Sequence, residues 1–197
     1  MTLTKPQQAG IFIVLALVMA GTRINHFGAL PDASWAVFFV AGFYLRGAMR
    51  WAFPLLMALA VLVDFLVING QGLDFWSHYC VSAAYWFLLP AYAAMWAGGA
   101  LLRARSHGPG LRTLGWLCVC LVGAASLCFL VSNGSFYWLS DSVAAPSAAG
   151  WLQNLADWYL PYLRTTAAYV GAAAVLHVIA RALHVPADAP LARGQRG

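Results

Sequence analysis

Cys80 stands in the run Asp74-Phe-Trp-Ser-His-Tyr-Cys80-Val-Ser-Ala-Ala-Tyr85, just inside a hydrophobic segment. A thiol flanked by aromatic, hydroxyl, imidazole and carboxylate groups at the mouth of a membrane helix differs from lipid-facing filler. The thiolate is the reactive and metal-donating form of cysteine. Two further side chains are out of place in an apolar stretch, Asp64 and Arg164. Ionisable groups inside membrane segments are costly and normally face a bundle interior or a cavity, so both are functional candidates by default. What these residues can do depends on the helices that carry them.

The chain of 197 residues is 62% hydrophobic and 9% charged, with a mean hydropathy of +0.74. A soluble domain carries about 25% charged residues, so this composition cannot cover a water-facing surface. Six segments are apolar over roughly 20 residues each, near 8–23, 33–49, 51–69, 75–102, 112–132 and 155–183. Lipid-exposed backbone must satisfy its own hydrogen bonds, which makes these spans helices. The expected class is therefore an all-α integral membrane protein with six transmembrane helices. Residues 1–185 form one unit, and 186–197 form a short polar tail expected to be disordered. With the N-terminus cytoplasmic, Lys5, Arg46, Arg50, Arg103, Arg105, Arg112, Arg181, Arg193 and Arg196 all fall inside, and Asp32, Asp74 and Asp141 fall outside. That distribution obeys the positive-inside rule and places both termini in the cytoplasm. Arg23 is assigned to an outer connection. The first stretch has signal-peptide features, Lys5 ahead of an apolar run and small residues near Ala20. We read it as a retained span, because its removal leaves an odd count.

Several chemistries are excluded. Lys5 is the sole lysine and has no glycine-rich loop before it, so the chain has no ATP site of the P-loop kind. Glutamate is absent, which removes the zinc-protease helix motif. The basic residues are scattered singly, so no nucleic-acid partner is expected. Ser135 and His177 loosely suggest an intramembrane serine protease. His177 lies about 22 residues down the last span, roughly 33 Å from the outer end where Ser135 sits. They cannot meet. Cys118 and Cys120 read as small hydrophobes, and a bridge from Cys80 to Cys128 stays open.

Counting depth from the outer ends gathers Cys80, Asp64, Tyr85 and Arg164 in the outer third, Asp64 about 8 Å and Arg164 about 13 Å down. His26, Trp76, His78, Tyr79, Asn133, Tyr137 and Tyr162 share that level or its loops. An Asp64–Arg164 ion pair joining two helices is one reading, and interfacial anchoring is another for the Trp and Tyr residues. Together they describe an outward polar and aromatic bowl suited to a large, partly apolar ligand.

Six short helices with such a bowl resemble the S components of energy-coupling factor (ECF) vitamin transporters. In the first span, Ala16-Leu-Val-Met-Ala20 is similar to the small-residue face with which S components pack on their coupling subunit, where small residues allow close approach. The more specific resemblance is to the BtuM-type cobalamin transporters, solitary S-component-like proteins of Gram-negative inner membranes. It rests on Arg23-Ile-Asn-His-Phe-Gly-Ala-Leu-Pro31-Asp-Ala-Ser-Trp35, Phe43-Tyr-Leu-Arg46, Leu62-Val-Asp64, His78-Tyr-Cys80 and Tyr85. The resemblance implies that Cys80 is the axial cobalt ligand, since a thiolate is a strong donor to such a metal and coordination deprotonates it. It implies a base-off complex in which Cys80 replaces the vitamin's benzimidazole. Trp76, Tyr79 and Tyr137 would pack the corrin. Asp64, Tyr85, His26 and Arg164 would bind its amides or position the helices, and loops 24–34 and 133–152 would act as lids.

Two consequences are expected from the same resemblance. Sulfur donation would promote loss of cyanide from bound cyanocobalamin in the presence of a reductant. Energy for transport would come from ECF coupling and ATPase subunits, or from trapping of the vitamin inside without them. The alternatives are an S component for another vitamin or metal complex, a haem-binding redox protein with His26 and His78 as axial ligands, and a structural membrane protein without a ligand.

Overall fold

The computed structural model describes residues 3–24, 31–78 and 81–183, which are helical with no strand among them. The first helix, α1 (Lys5–Arg23), starts from a reciprocal cap. The Thr4 hydroxyl accepts from the Gln7 amide, while the Gln7 side chain accepts from the Thr4 amide at 2.9 Å. Pro6 in the first turn costs nothing, because its missing N–H would have no helical partner there. Helices α2 (Ser34–Leu45) and α3 (Met49–Gly70) follow, separated by a single 3-10 turn at Arg46–Ala48. Then come α4 (Leu88–Arg105), α5 (Leu111–Leu139) and α6 (Ala148–Leu183).

Four helical stretches among the described residues are long and apolar enough to cross a membrane: 34–70, 83–105, 111–139 and 148–183. The first of these is bent back on itself. Ser34 at the start of α2 and Asp64 late in α3 bind the same guanidinium, that of Arg23. Along one straight helix they would lie about 45 Å apart. Phe38 and Phe53 also meet edge to face, with ring centroids 5.3 Å apart. The 34–70 stretch is thus a helical hairpin folded at Arg46–Ala48. Its first arm is short, since twelve residues rise only about 18 Å.

That short arm is the centre of the bundle. Ser34 to Phe39, Ala41, Gly42 and Leu45 are all buried, against Met19 of α1, Leu56 of α3, Met95 and Trp96 of α4, and Cys128 and Phe129 of α5. Glycine lets α4 come close. A Cβ on Gly42 would strike the Trp96 carbonyl, and one on Gly99 would strike the Phe39 carbonyl. In contrast, α6 buries only Thr166 and Val170, so it lies on the bundle rather than in it. Side-chain hydrogen bonds hold it at intervals: Asn133–Asn154 (2.7 Å), Ser126–Tyr159 (2.7 Å) and Tyr44–His177 (2.6 Å). At 36 residues it runs about 54 Å, well beyond a bilayer core of about 30 Å.

The structure departs from the sequence expectation most clearly between α3 and α4. The expected span 75–102 does not begin as an α-helix. Short 3-10 turns occupy Phe75–Ser77 and Ala83–Phe87, and α-helix starts only at Leu88. Asp74 accepts from the Ser77 amide at 3.0 Å, and the Ser82 hydroxyl accepts from the Ala84 amide at 3.3 Å. These local bonds compete with helical ones. The 133–152 stretch expected as a lid is mostly helix, leaving 140–147 as the connection. The expected tail, 186–197, lies outside the described residues.

Candidate functional site

Arg23 is the polar centre of the molecule. It ends α1 on the face marked by Leu15, Met19 and Thr22, the spacing of one helix side, and so it enters the core. Its side chain is 7% exposed. Nε donates to Asp64 Oδ1 at 2.6 Å and Nη2 donates to Asp64 Oδ2 at 2.7 Å. This two-pronged pairing fixes the carboxylate plane as well as its distance. The remaining nitrogen, Nη1, faces Asp32 Oδ2 (2.9 Å), Ser34 Oγ (3.0 Å) and the Tyr92 hydroxyl (3.2 Å). Asp32 turns its other oxygen to the Ser34 amide and hydroxyl, at 2.9 and 2.6 Å, and so anchors the start of α2.

Tyr85 completes the cluster by donating its hydroxyl to Asp64 Oδ2 at 2.7 Å. The bond ties the 3-10 segment 83–87, which packs on α5, to α3 at the level of Asp64, six residues or about 9 Å before the helix end at Gly70. The cluster thus sets one guanidinium against two carboxyl groups. The hydroxyls of Tyr85, Ser34 and Tyr92 supply the neutral polar contacts around them.

Beside this network lies an apolar cavity of about 450 Å³. Met57 and Val61 of α3 form one wall, and Trp76, Val81, Tyr85 and Trp86 form part of the other. Its volume falls within the roughly 300–1,000 Å³ usual for small-molecule sites. Phe75 is buried beneath it against Phe65, while Trp76 and Trp86 are largely exposed. Tyr85 is therefore shared: its ring lines the cavity and its hydroxyl joins the charged network.

Of the residues singled out from sequence, the structure brings Trp76 and Tyr85 to the cavity and ties Asp64 to it through Tyr85. His26, Tyr79 and Cys80 lie outside the described residues, although Trp76 and Val81 flank the last two in the chain. Tyr137 is elsewhere: its buried hydroxyl donates to the Ser147 carbonyl (3.2 Å) and accepts from the Ser147 amide (3.3 Å), pinning the α5–α6 connection. Arg164 is exposed on α6, about 24 Å along that helix. The partner of Asp64 is Arg23, which corrects both the suggested Asp64–Arg164 pair and the assignment of Arg23 to an outer connection. Ala16 packs against the core and Ala20 is half-buried, which limits the surface that pair can offer a partner. Cys128 is a free, fully buried thiol, which removes a bridge to Cys80. His177 binds Tyr44 and the Ser135 hydroxyl binds its own helix, at the Ser132 carbonyl, so these two stay apart. Among the described residues no cluster of three or more His, Cys, Asp or Glu could hold a metal ion.

No protein-family model and no curated protein matches the chain.

Proposed function

We propose that this chain is a membrane transporter of the S-component type that binds cobalamin from the periplasmic side of the bacterial inner membrane. The observation that carries the proposal is the irregular backbone of 81–87, packed on α5 and tied to α3 through Tyr85 and Asp64, with an apolar cavity between it and α3. Non-helical backbone at membrane depth is tolerated only where protein buries it or where it lines a cavity. The short first arm of the hairpin supports the same reading. Because α2 rises only about 18 Å, its start and the Arg23 network lie well inside a hydrocarbon core of about 30 Å. We infer six crossings, α1, the two hairpin arms, α4, α5 and α6, with both termini cytoplasmic by the positive-inside rule.

Cys80 is the axial cobalt ligand in this proposal, and cobalt arrives as part of the cargo. A single thiolate opposite the vitamin's upper ligand suffices, so no multi-residue metal cluster is required. The corrin exceeds the volume of the cavity, and one of its edges packs on Trp76, Tyr85 and Trp86. When an added reductant delivers electrons to cobalt, cyanide leaves with its bonding pair, aided by donation from sulfur. Arg164 and Tyr137 have no part in this contact. Uptake that persists in cells without ECF subunits indicates intracellular trapping, and uptake confined to cells that have them indicates ECF coupling.

Calorimetric titration with cobalamin and with base-free cobinamide tests the proposal. Binding of both supports a site that dispenses with the vitamin's own base. Binding of neither refutes it.

A further inference from the structure

We propose that Arg23 is the positioning residue of the cavity, clamping the connection after α1 to the connection after α3 and thereby holding the 81–89 wall in place. The inference rests on the cavity being the ligand site proposed above. Between α3 and α4 the described turn 83–87 packs on α5 and on the start of α4, and its position relative to α3 is set separately. The bonds of Asp74 and Ser82 are internal to the segment. Phe75 and Ala84 anchor it by apolar burial. The polar tie from this segment to α3 is the Tyr85 hydroxyl on Asp64.

That tie needs a carboxylate held in one orientation. Asp64 sits on α3 with 19% of its side chain exposed, and its plane is set by the two-pronged contact with Nε and Nη2 of Arg23. Arg23 is in turn fixed through Nη1 by Asp32, Ser34 and Tyr92, on the far side of the guanidinium. The order of support runs from the start of α2, through the guanidinium, to Asp64, Tyr85 and the cavity wall. A lysine keeps the charge but cannot make the fork, so Arg23→Lys separates charge from positioning.

Hydrogen exchange on the purified, ligand-free protein in nanodiscs reads the consequence directly. Loss of one charge-assisted bond corresponds to roughly ten- to a hundredfold faster local exchange. Arg23→Lys, Asp64→Asn and Tyr85→Phe are each expected to speed exchange by that factor in peptides covering 81–87, with α4 and α5 unchanged. Adding Tyr85→Phe to Arg23→Lys or to Asp64→Asn is expected to add nothing further. Wild-type exchange in a folded Arg23→Lys protein overturns the proposal, as does an additive double variant. If Arg23→Lys does not fold, Tyr92→Phe and Ser34→Ala, which each release Nη1 of Arg23, take its place: faster exchange across 81–87 supports the proposal and wild-type exchange in both overturns it. No ligand enters this experiment, so a wild-type protein that fails to bind cobalamin refutes the transport reading and leaves the exchange result standing. Where cobalamin does bind, the same variants are expected to weaken it about tenfold or more.

Discussion

Removing Arg23 and removing either carboxylate are unequal perturbations, and the charge balance says by how much. The site holds one guanidinium and two carboxylates, with side chains 7% and 19% exposed. Arg23→Met deletes the cation that both Asp32 and Asp64 bind. Breaking a buried pair from one side costs about 3–5 kcal/mol, because the abandoned charge stays desolvated. Asp64→Asn instead leaves a balanced Arg23–Asp32 pair and forfeits hydrogen bonds, a loss of about 1–3 kcal/mol. For a chain of this size one kcal/mol moves the midpoint by about 2–4 °C. Arg23→Met is therefore expected to lower the thermal midpoint by roughly 6–20 °C and Asp64→Asn by roughly 2–12 °C, read by tryptophan fluorescence in detergent at one scan rate. The combination Arg23→Met with Asp64→Asn should be more stable than Arg23→Met alone, since one orphaned charge is gone. Equal losses for the two single variants, or simple additivity in the double, would refute the charge assignment.

Other predictions follow from the packing. Gly99→Ala and Gly42→Ala press a methyl group on a neighbouring helix's carbonyl and should each cost about 1–3 kcal/mol. Gly123→Ala on α5 meets nothing within 4 Å and should be neutral or gain a few tenths from helix propensity; thermal midpoints separate the cases. Tyr137→Phe removes both hydroxyl bonds to Ser147 and should increase protease cleavage between 140 and 147 without altering cobalamin affinity. Trp86→Ala strips an aromatic wall from the cavity and should weaken cobalamin binding roughly tenfold or more, measured by calorimetry.

Much of the helical layout is legible in hydropathy. The runs at 51–69 and 112–132 fall within α3 and α5, because a bilayer-length apolar run has no other way to satisfy its backbone. The beginning of the expected span 75–102 departs from α-helix for a physical reason. Phe, Trp, Tyr and Val count as apolar in any conformation, whereas Asp74 and Ser82 offer the backbone local partners and divert it from helix. Arg23 was misplaced because charge counting treats a basic residue at a helix end as solvated. The periodicity held the contrary signal: Leu15, Met19, Thr22 and Arg23 share one face, and that face is the buried one. Nothing in the local sequence links Arg23 to Asp64, 41 residues away. The hairpin turn at Arg46–Ala48 creates that contact by returning α3 to the start of α2. Depth alone suggested Arg164 as a partner, but depth carries no information about which side of a helix faces inward.

The proposed donation from Cys80 to cobalt is tested most directly by the absorption spectrum. Purified wild-type protein mixed with cobalamin should give an altered cobalt spectrum that Cys80→Ala abolishes while the variant remains folded. An identical spectrum from wild type and Cys80→Ala would contradict the claim. So would protein that purifies with a haem Soret band lost in His78→Ala.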